Sequence, residues 1–283
     1  MEIEGLGWMS NGQSVLSGAL LDAQMRLDQM FLTWSKKVRA DMYAFPTFLP
    51  VAELKKIDYF RSFPHLVNFV TNLKDEEDNL KSFTKGKVYH DDGSIFMSDA
   101  SPIHDCLTPA ACYHFYIGKQ DSTLTKTFYG TTRSFCYRRE KYYLPLQRQW
   151  CFNMREIVCV GDIETVRNFL KTYREMLEVF FKKLGLPIDW EIATDPFFDP
   201  SNNPKAIMQI LDPVKSEMIF NKNLSIGSVN FHKNYFGQAF NINFENEMAF
   251  SGCIAFGLER WLFAFIETFG KDIGKWPKFE GMV

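Results

Sequence analysis

Apolar residues recur at three- and four-residue steps in two long stretches of the chain. Between Ala19 and Val38, the residues Leu20, Leu21, Met25, Leu27, Met30, Phe31 and Trp34 share one face, which predicts an amphipathic helix. Between Asp162 and Leu184, Val166, Phe169, Leu170, Tyr173, Leu177, Phe180 and Phe181 recur in the same way. That pattern predicts a helix of about six turns, closed by Gly185 and Pro187. Trp261 to Phe269 is apolar but short, and reads as a core helix. Strand-favouring runs occupy much of the remainder: Cys151–Val160, Ile188–Ala193, Ile207–Leu211, Lys215–Phe220, Leu224–Phe231 and Ala239–Phe244. Asp195 to Pro200 is a turn-rich loop. The fold class that follows is α+β, a mostly antiparallel sheet with flanking helices. Residues 1–15 are expected to be a mobile leader to a single domain over 16–283.

Two segments carry chemistry beyond packing. Tyr137-Arg138-Arg139-Glu140, the loop Lys141 to Pro145 and the run Trp150 to Val160 predict an antiparallel hairpin with charged residues near its turn. The segment Ser251 to Trp261 places a thiol (Cys253), two glycines and Arg260 at the mouth of an apolar helical stretch. Glycine lets backbone approach a ligand, and arginine can clamp phosphate while the sulfur holds something else.

These segments resemble the signature motifs of the class II aminoacyl-tRNA synthetases. Gly257-Leu258-Glu259-Arg260 is similar to motif 3, the Tyr137–Val160 hairpin to motif 2, and Arg39 to Pro64 to the helix-then-strand dimer element, motif 1. Leu107 to Cys112 resembles a seryl-type loop carrying Thr-x-Glu, with Cys112 where that glutamate stands. From about Met42 to Phe265 the chain resembles methanogen-type seryl-tRNA synthetases and their truncated relatives, the amino acid:[carrier protein] ligases.

The resemblance implies a class II catalytic core and a zinc ion held by Cys112, Glu156 and Cys253, with the substrate's amino group at the open fourth position. It further implies ATP with magnesium, Arg138 on the α-phosphate, Glu140 near the adenine amino group and Arg260 on the γ-phosphate. A small amino acid, glycine or alanine, becomes an aminoacyl-adenylate and passes to the phosphopantetheine thiol of a carrier protein. A homodimer is expected through motif 1, where Phe45, Phe48 and Leu49 lack an obvious cover.

Composition narrows the partners. The six cysteines contain no Cys-x-x-Cys pair, so buried thiols are the plain reading; Cys106, Cys136, Cys151 and Cys159 are assigned to packing. A formal charge of −2 on 283 residues lacks the basic excess of proteins that grip nucleic acid backbones. With only a short segment ahead of motif 1, no tRNA-binding arm is expected, which disfavours the seryl-tRNA synthetase alternative. A non-catalytic paralogue is the other alternative. No export signal or membrane span is visible, so a cytoplasmic enzyme with reduced cysteines is expected. On the Asp162–Leu184 helix, Arg167, Lys171, Arg174, Lys182 and Lys183 form a solvated face or, as the ligase resemblance implies for a helix after motif 2 (about 162–187), a docking face for an acidic carrier. The 28 phenylalanines are read as core, and His104, His114 and His232 as satisfied polar residues. Lys215 and Glu217 share a strand face and form an ion pair or line the amino acid pocket.

Overall fold

In the computed structural model, which describes residues 3–283, the largest sheet among those residues has seven strands. In chain order they are β1 (Asp41–Tyr43), β2 (Phe128–Tyr137), β3 (Cys151–Gly161), β4 (Ile188–Ile192), β5 (Lys215–Phe220), β6 (Leu224–Lys233) and β7 (Phe250–Gly257). Their order across the sheet is β4-β5-β6-β7-β3-β2-β1. Every neighbouring pair is antiparallel except β1 with β2, which is parallel. The expected α+β class and the hairpin, now β2 and β3, are both present.

The two faces of the sheet carry different loads because successive strand residues point to opposite sides. Ile157 and Cys159 of β3 face a large apolar cluster built with three helices: α1 (Gly18–Ser35), α2 (Ile163–Leu184) and, from the motif 3 segment, the helix Leu258–Phe269. Val158, Val160 and Cys253 face a second cluster that contains Cys112 and Phe115. The helix α2 is fixed at both ends. The Asp162 side chain accepts from Thr165 N–H at its start, and Gly185 takes the left-handed conformation at its end, with φ 72°.

Four stretches differ from the sequence expectation. Residues 6–16 form a hairpin, Leu6–Met9 against Gln13–Leu16, where a leader was expected; residues 1 and 2 lie outside the described residues. Its turn residue Gly12 sits so close to the Tyr143 ring that a Cβ would lie 2.4 Å from it, and the Gly12 carbonyl accepts from Trp150 N–H. Ile207–Leu211 is not a strand but part of a helix, α3 (Pro204–Leu211). The reason is local: Asn203 caps Lys205 N–H and Pro204 occupies the first turn, which outweighs the β-branched residues that suggested a strand. Ala239 to Phe244 splits into the end of a helix, Tyr235–Phe240, and a short strand, Ile242–Phe244, separated by Asn241 at φ 50°. The first expected helix ends at Ser35 and runs on as a 3₁₀ turn, Lys36–Val38. In the motif 1-like segment, Leu49 is buried, while Phe48 stays half exposed.

Candidate active site and metal centre

Strand register builds the floor of one large cavity. Glu156 on β3 lies opposite Ala255 on β7, and Cys253 opposite Asn230 on β6. Asn230 lies opposite Lys215 on β5, and Ser228 opposite Glu217. Period-two alternation puts all of these side chains on one face, where they line a cavity of ≈ 600 Å³. Cys112 enters from the side, at the start of the helix Tyr113–Ile117. The loop before it is tied down by Thr108, whose hydroxyl donates to the Ala110 carbonyl at 2.8 Å.

The ligating atoms of Cys112, Glu156 and Cys253 all lie within 4.8 Å of one another, and all three residues are buried. Glu156 Oε1 accepts from Ala111 N–H at 3.2 Å, whereas Oε2 is buried with no hydrogen-bond partner among the described residues. Buried polar atoms are rarely left unpaired, and a carboxylate oxygen without a partner beside two thiols is a donor set that fits a cation. Burial raises the Glu156 carboxyl above its ordinary range. A hydrogen bond to Cys253, then burial and Glu156, push the Cys112 thiol well up. The Cys112 contact pulls Cys253 down, but burial and Glu156 outweigh it and the net is upward. Three acids crowded into one dry spot resist ionising together, and a bound divalent cation relieves that conflict. Two sulfurs and one carboxylate oxygen suit zinc and leave a coordination position open.

Positive charge gathers elsewhere along the same cavity. Arg138 Nε donates to the Pro109 carbonyl at 2.9 Å, and its guanidinium lies 5.3 Å from the Phe152 ring centre. Arg260 is held by two carbonyls, Nε to Gln147 O and Nη1 to Ser225 O, both at 2.7 Å. Burial, then the nearby charges of Arg138 and Arg148, lower the Arg260 guanidinium to about 10. A pull of that kind means these cations repel one another, which an anionic ligand would offset. Glu140 is engaged by Arg148 at 2.7 Å. All six residues expected from sequence thus line one cavity.

Lys215 and Glu217 form the ion pair that was one of their two expected roles, at 2.9 Å, and both line this cavity. Asp195, 3.1 Å from Lys215, was not foreseen. Glu259, directly before Arg260, accepts from the Asn153 backbone at 2.9 Å and from Gln24 Nε2 at 3.2 Å. His232 is half-buried and bonded, as a satisfied polar residue should be, and desolvation lowers its imidazole to about 4. His114 departs from that expectation, because its Nε2 is buried without a partner among the described residues.

Comparison with known proteins agrees with this architecture. Residues 105–269 match the tRNA synthetase class II core domain (G, H, P, S and T). An amino acid–[acyl-carrier-protein] ligase 1 of Bradyrhizobium diazoefficiens is 31% identical over 257 residues, 87% of this chain and 77% of that protein. The chain belongs to this ligase family, on a class II synthetase core. A type-2 serine–tRNA ligase of Methanococcus aeolicus is more distant, at 24% identity over 98% of this chain and 57% of its own length. Among solved structures, M. kandleri SerRS, crystallised in complex with A. aeolicus tRNASec, superposes with a TM-score of 0.80 at 17% identity. That match spans 97% of this chain and 57% of the other. The class II core implies ATP and magnesium. No helix among the described residues is long and apolar enough to cross a membrane.

Proposed function

We propose that the chain activates a small amino acid, glycine or alanine, with ATP and transfers it to the phosphopantetheine thiol of a carrier protein. The observation that carries this reading is the cluster Cys112, Glu156 and Cys253 in the same cavity as Arg138 and Arg260. Zinc, when bound there, supplies a Lewis acid that takes the substrate amine in its neutral form. The amino acid carboxylate attacks the α-phosphorus of ATP and expels pyrophosphate. In-line transfer of this kind needs positioning and charge stabilisation more than covalent help, and Arg138 and Arg260 are the groups proposed to provide it, on the α- and γ-phosphates. Glu140 is proposed to meet the adenine amino group. The carrier's thiol then attacks the acyl carbon and releases AMP.

The acceptor must reach the cavity from outside. The helix α2, with Arg167, Lys171 and Arg174, packs on the sheet face opposite Glu156 and Cys253. By contrast, Lys205, Met208 and Gln209 of α3 and Asp212 just after it line the cavity, while Ile207, Ile210 and Leu211 of the same helix are exposed. The proposed carrier contact therefore runs along α3, with the basic residues of α2 as the competing surface. A cytoplasmic homodimer completes the reading: Met42, Phe48 and Phe69 in and near the motif 1-like segment are exposed apolar residues that a second copy would cover, and sedimentation as a monomer at micromolar concentration would refute it.

Pyrophosphate–ATP exchange with each of the twenty amino acids tests the first half-reaction. Exchange with glycine or alanine is expected, and no exchange with any amino acid would overturn the proposal. The relationship to type-2 serine–tRNA ligases supports one rival, aminoacylation of tRNA, which a charging assay with total tRNA separates.

A further inference from the structure

Two side-chain nitrogens from one strand lie beside the Cys253 sulfur. Asn230 Nδ2 lies 3.3 Å from it and His232 Nε2 lies 3.6 Å from it. Both residues come from β6, and the strand is irregular at that point. The register between β6 and β7 slips between Phe231 and Lys233, so His232 has no partner residue on β7. Bulges next to functional sites re-aim side chains, and here the ring is turned toward the sulfur.

The other ring nitrogen decides the tautomer. His232 Nδ1 lies 3.1 Å from both the Tyr116 hydroxyl and the Ser251 hydroxyl, either of which can donate to it. With Cys253 as a metal-bound thiolate, a proton on Nδ1 would leave the Nε2 lone pair facing the sulfur lone pairs, a repulsive arrangement. A proton on Nε2 gives the sulfur a donor and leaves Nδ1 as the acceptor for the two hydroxyls. Asn230 is oriented by a second bond, Nδ2 to Ser228 Oγ at 3.0 Å.

Resting on the reading of Cys112, Glu156 and Cys253 as a metal site, we propose that His232 and Asn230 are positioning residues for the Cys253 sulfur. Each aims an N–H at it, fixing the direction of its lone pairs and drawing off part of its negative charge. Outer-shell groups of this kind tune how strongly a ligand donates to its metal. A less donating Cys253 leaves the metal more electrophilic toward the amine at its open position.

Two measurements on the full chain test this separately. In zinc-loaded protein with ¹⁵N-labelled histidine, imidazole spectra should show His232 as the Nε2–H tautomer, and the Nδ1–H tautomer would overturn the proposal. In cobalt(II)-loaded protein, the sulfur-to-cobalt charge-transfer band should move to lower energy in His232→Phe, because the sulfur loses a donor. His232→Gln, which can present an amide N–H at the ε position, should restore it. An unmoved band in His232→Phe would overturn the proposal, and Asn230→Leu provides the same test should His232→Phe not fold. A wild-type protein that binds neither zinc nor cobalt through Cys112 and Cys253 would refute the metal reading and this proposal with it, whereas bound metal with the Nδ1–H tautomer or an unmoved band overturns the proposal alone.

Discussion

Asp28 on α1 and Arg155 on β3 form a two-pronged ion pair, Nε to Oδ1 at 2.7 Å and Nη2 to Oδ2 at 2.8 Å, directly behind Glu156. Arg155 is 4% exposed, so the pair is desolvated, and Arg155 Nη1 also reaches Thr131 Oγ1 at 3.4 Å. Arg133 adds a second contact to Asp28 at 3.7 Å. Because alternate residues of β3 face opposite ways, the pair pins the strand from one side while Glu156 works from the other. Removing one partner strands a buried charge, a loss of about 3–5 kcal/mol. Asp28→Ala should therefore lower stability by that order in denaturant unfolding of the metal-free protein. A change below about 1 kcal/mol would mean that the pair has little structural role.

Glu259 gives stability a pH dependence of definite sign. Burial raises its carboxyl above the ordinary value of 4.5, against hydrogen bonds from Asn153 and Gln24 that favour ionisation. Its folded form thus keeps a proton that the unfolded chain has released. The stabilisation is fully present below about pH 4.5 and is lost as pH rises through the raised folded value. Glu259→Gln should flatten stability against pH over that interval in chemical denaturation. An identical slope in the variant would rule out this linkage.

Much of the site was legible because its residues sit in segments with strong local patterns. The β3 run placed Glu156 on the returning strand of the hairpin, and the run at Ser251–Gly257 placed Cys253 at the mouth of an apolar helix. The ligand set Cys112, Glu156 and Cys253 was visible through the resemblance alone, since no cysteine spacing marks it. Asp195 and Glu259 became site residues only when register and helix packing brought distant positions together. The helix α3 was missed because Ile207 and Ile210 favour strands, while its cap and first-turn proline outweigh them. Glycine at position 12 packs on Tyr143, a long-range contact that no N-terminal pattern announces.

Metal content should track the two sulfurs. Purified wild-type protein is expected to hold about one zinc per chain, the occupancy of a three-ligand site with an open position. Cys112→Ser and Cys253→Ser should each release it, and amino acid activation should fall with it. Full zinc occupancy by emission spectrometry in the double variant would place the metal elsewhere.

Arg138→Ala and Arg260→Ala should each slow pyrophosphate–ATP exchange by about 100-fold or more, the scale for removing a preorganised charge from a transition state. Zinc content should stay at the wild-type level, because neither guanidinium touches the ligand cluster. Well-folded variants with unchanged exchange would dismiss both residues from the ATP site.

The acceptor is decided by what gains mass. A carrier protein bearing phosphopantetheine should gain one small amino acid through a bond that hydroxylamine cleaves, while its apo form, lacking the thiol, should gain nothing. Docking separates from chemistry because α3 has two sides: Met208 and Gln209 line the cavity, and Ile210 and Leu211 face solvent. Burying one apolar side chain is worth about 1.5–3 kcal/mol, so Ile210→Glu with Leu211→Glu should cut transfer at low carrier concentration by about 10-fold or more. Exchange should be untouched, since adenylate formation does not use the outer face. Charge reversal at Arg167 and Lys171 should have the smaller effect on transfer. If that reversal abolishes transfer and the α3 variant does not, the carrier sits on α2. If tRNA is charged instead and no holo carrier is loaded, the ligase acts on RNA and the carrier reading fails.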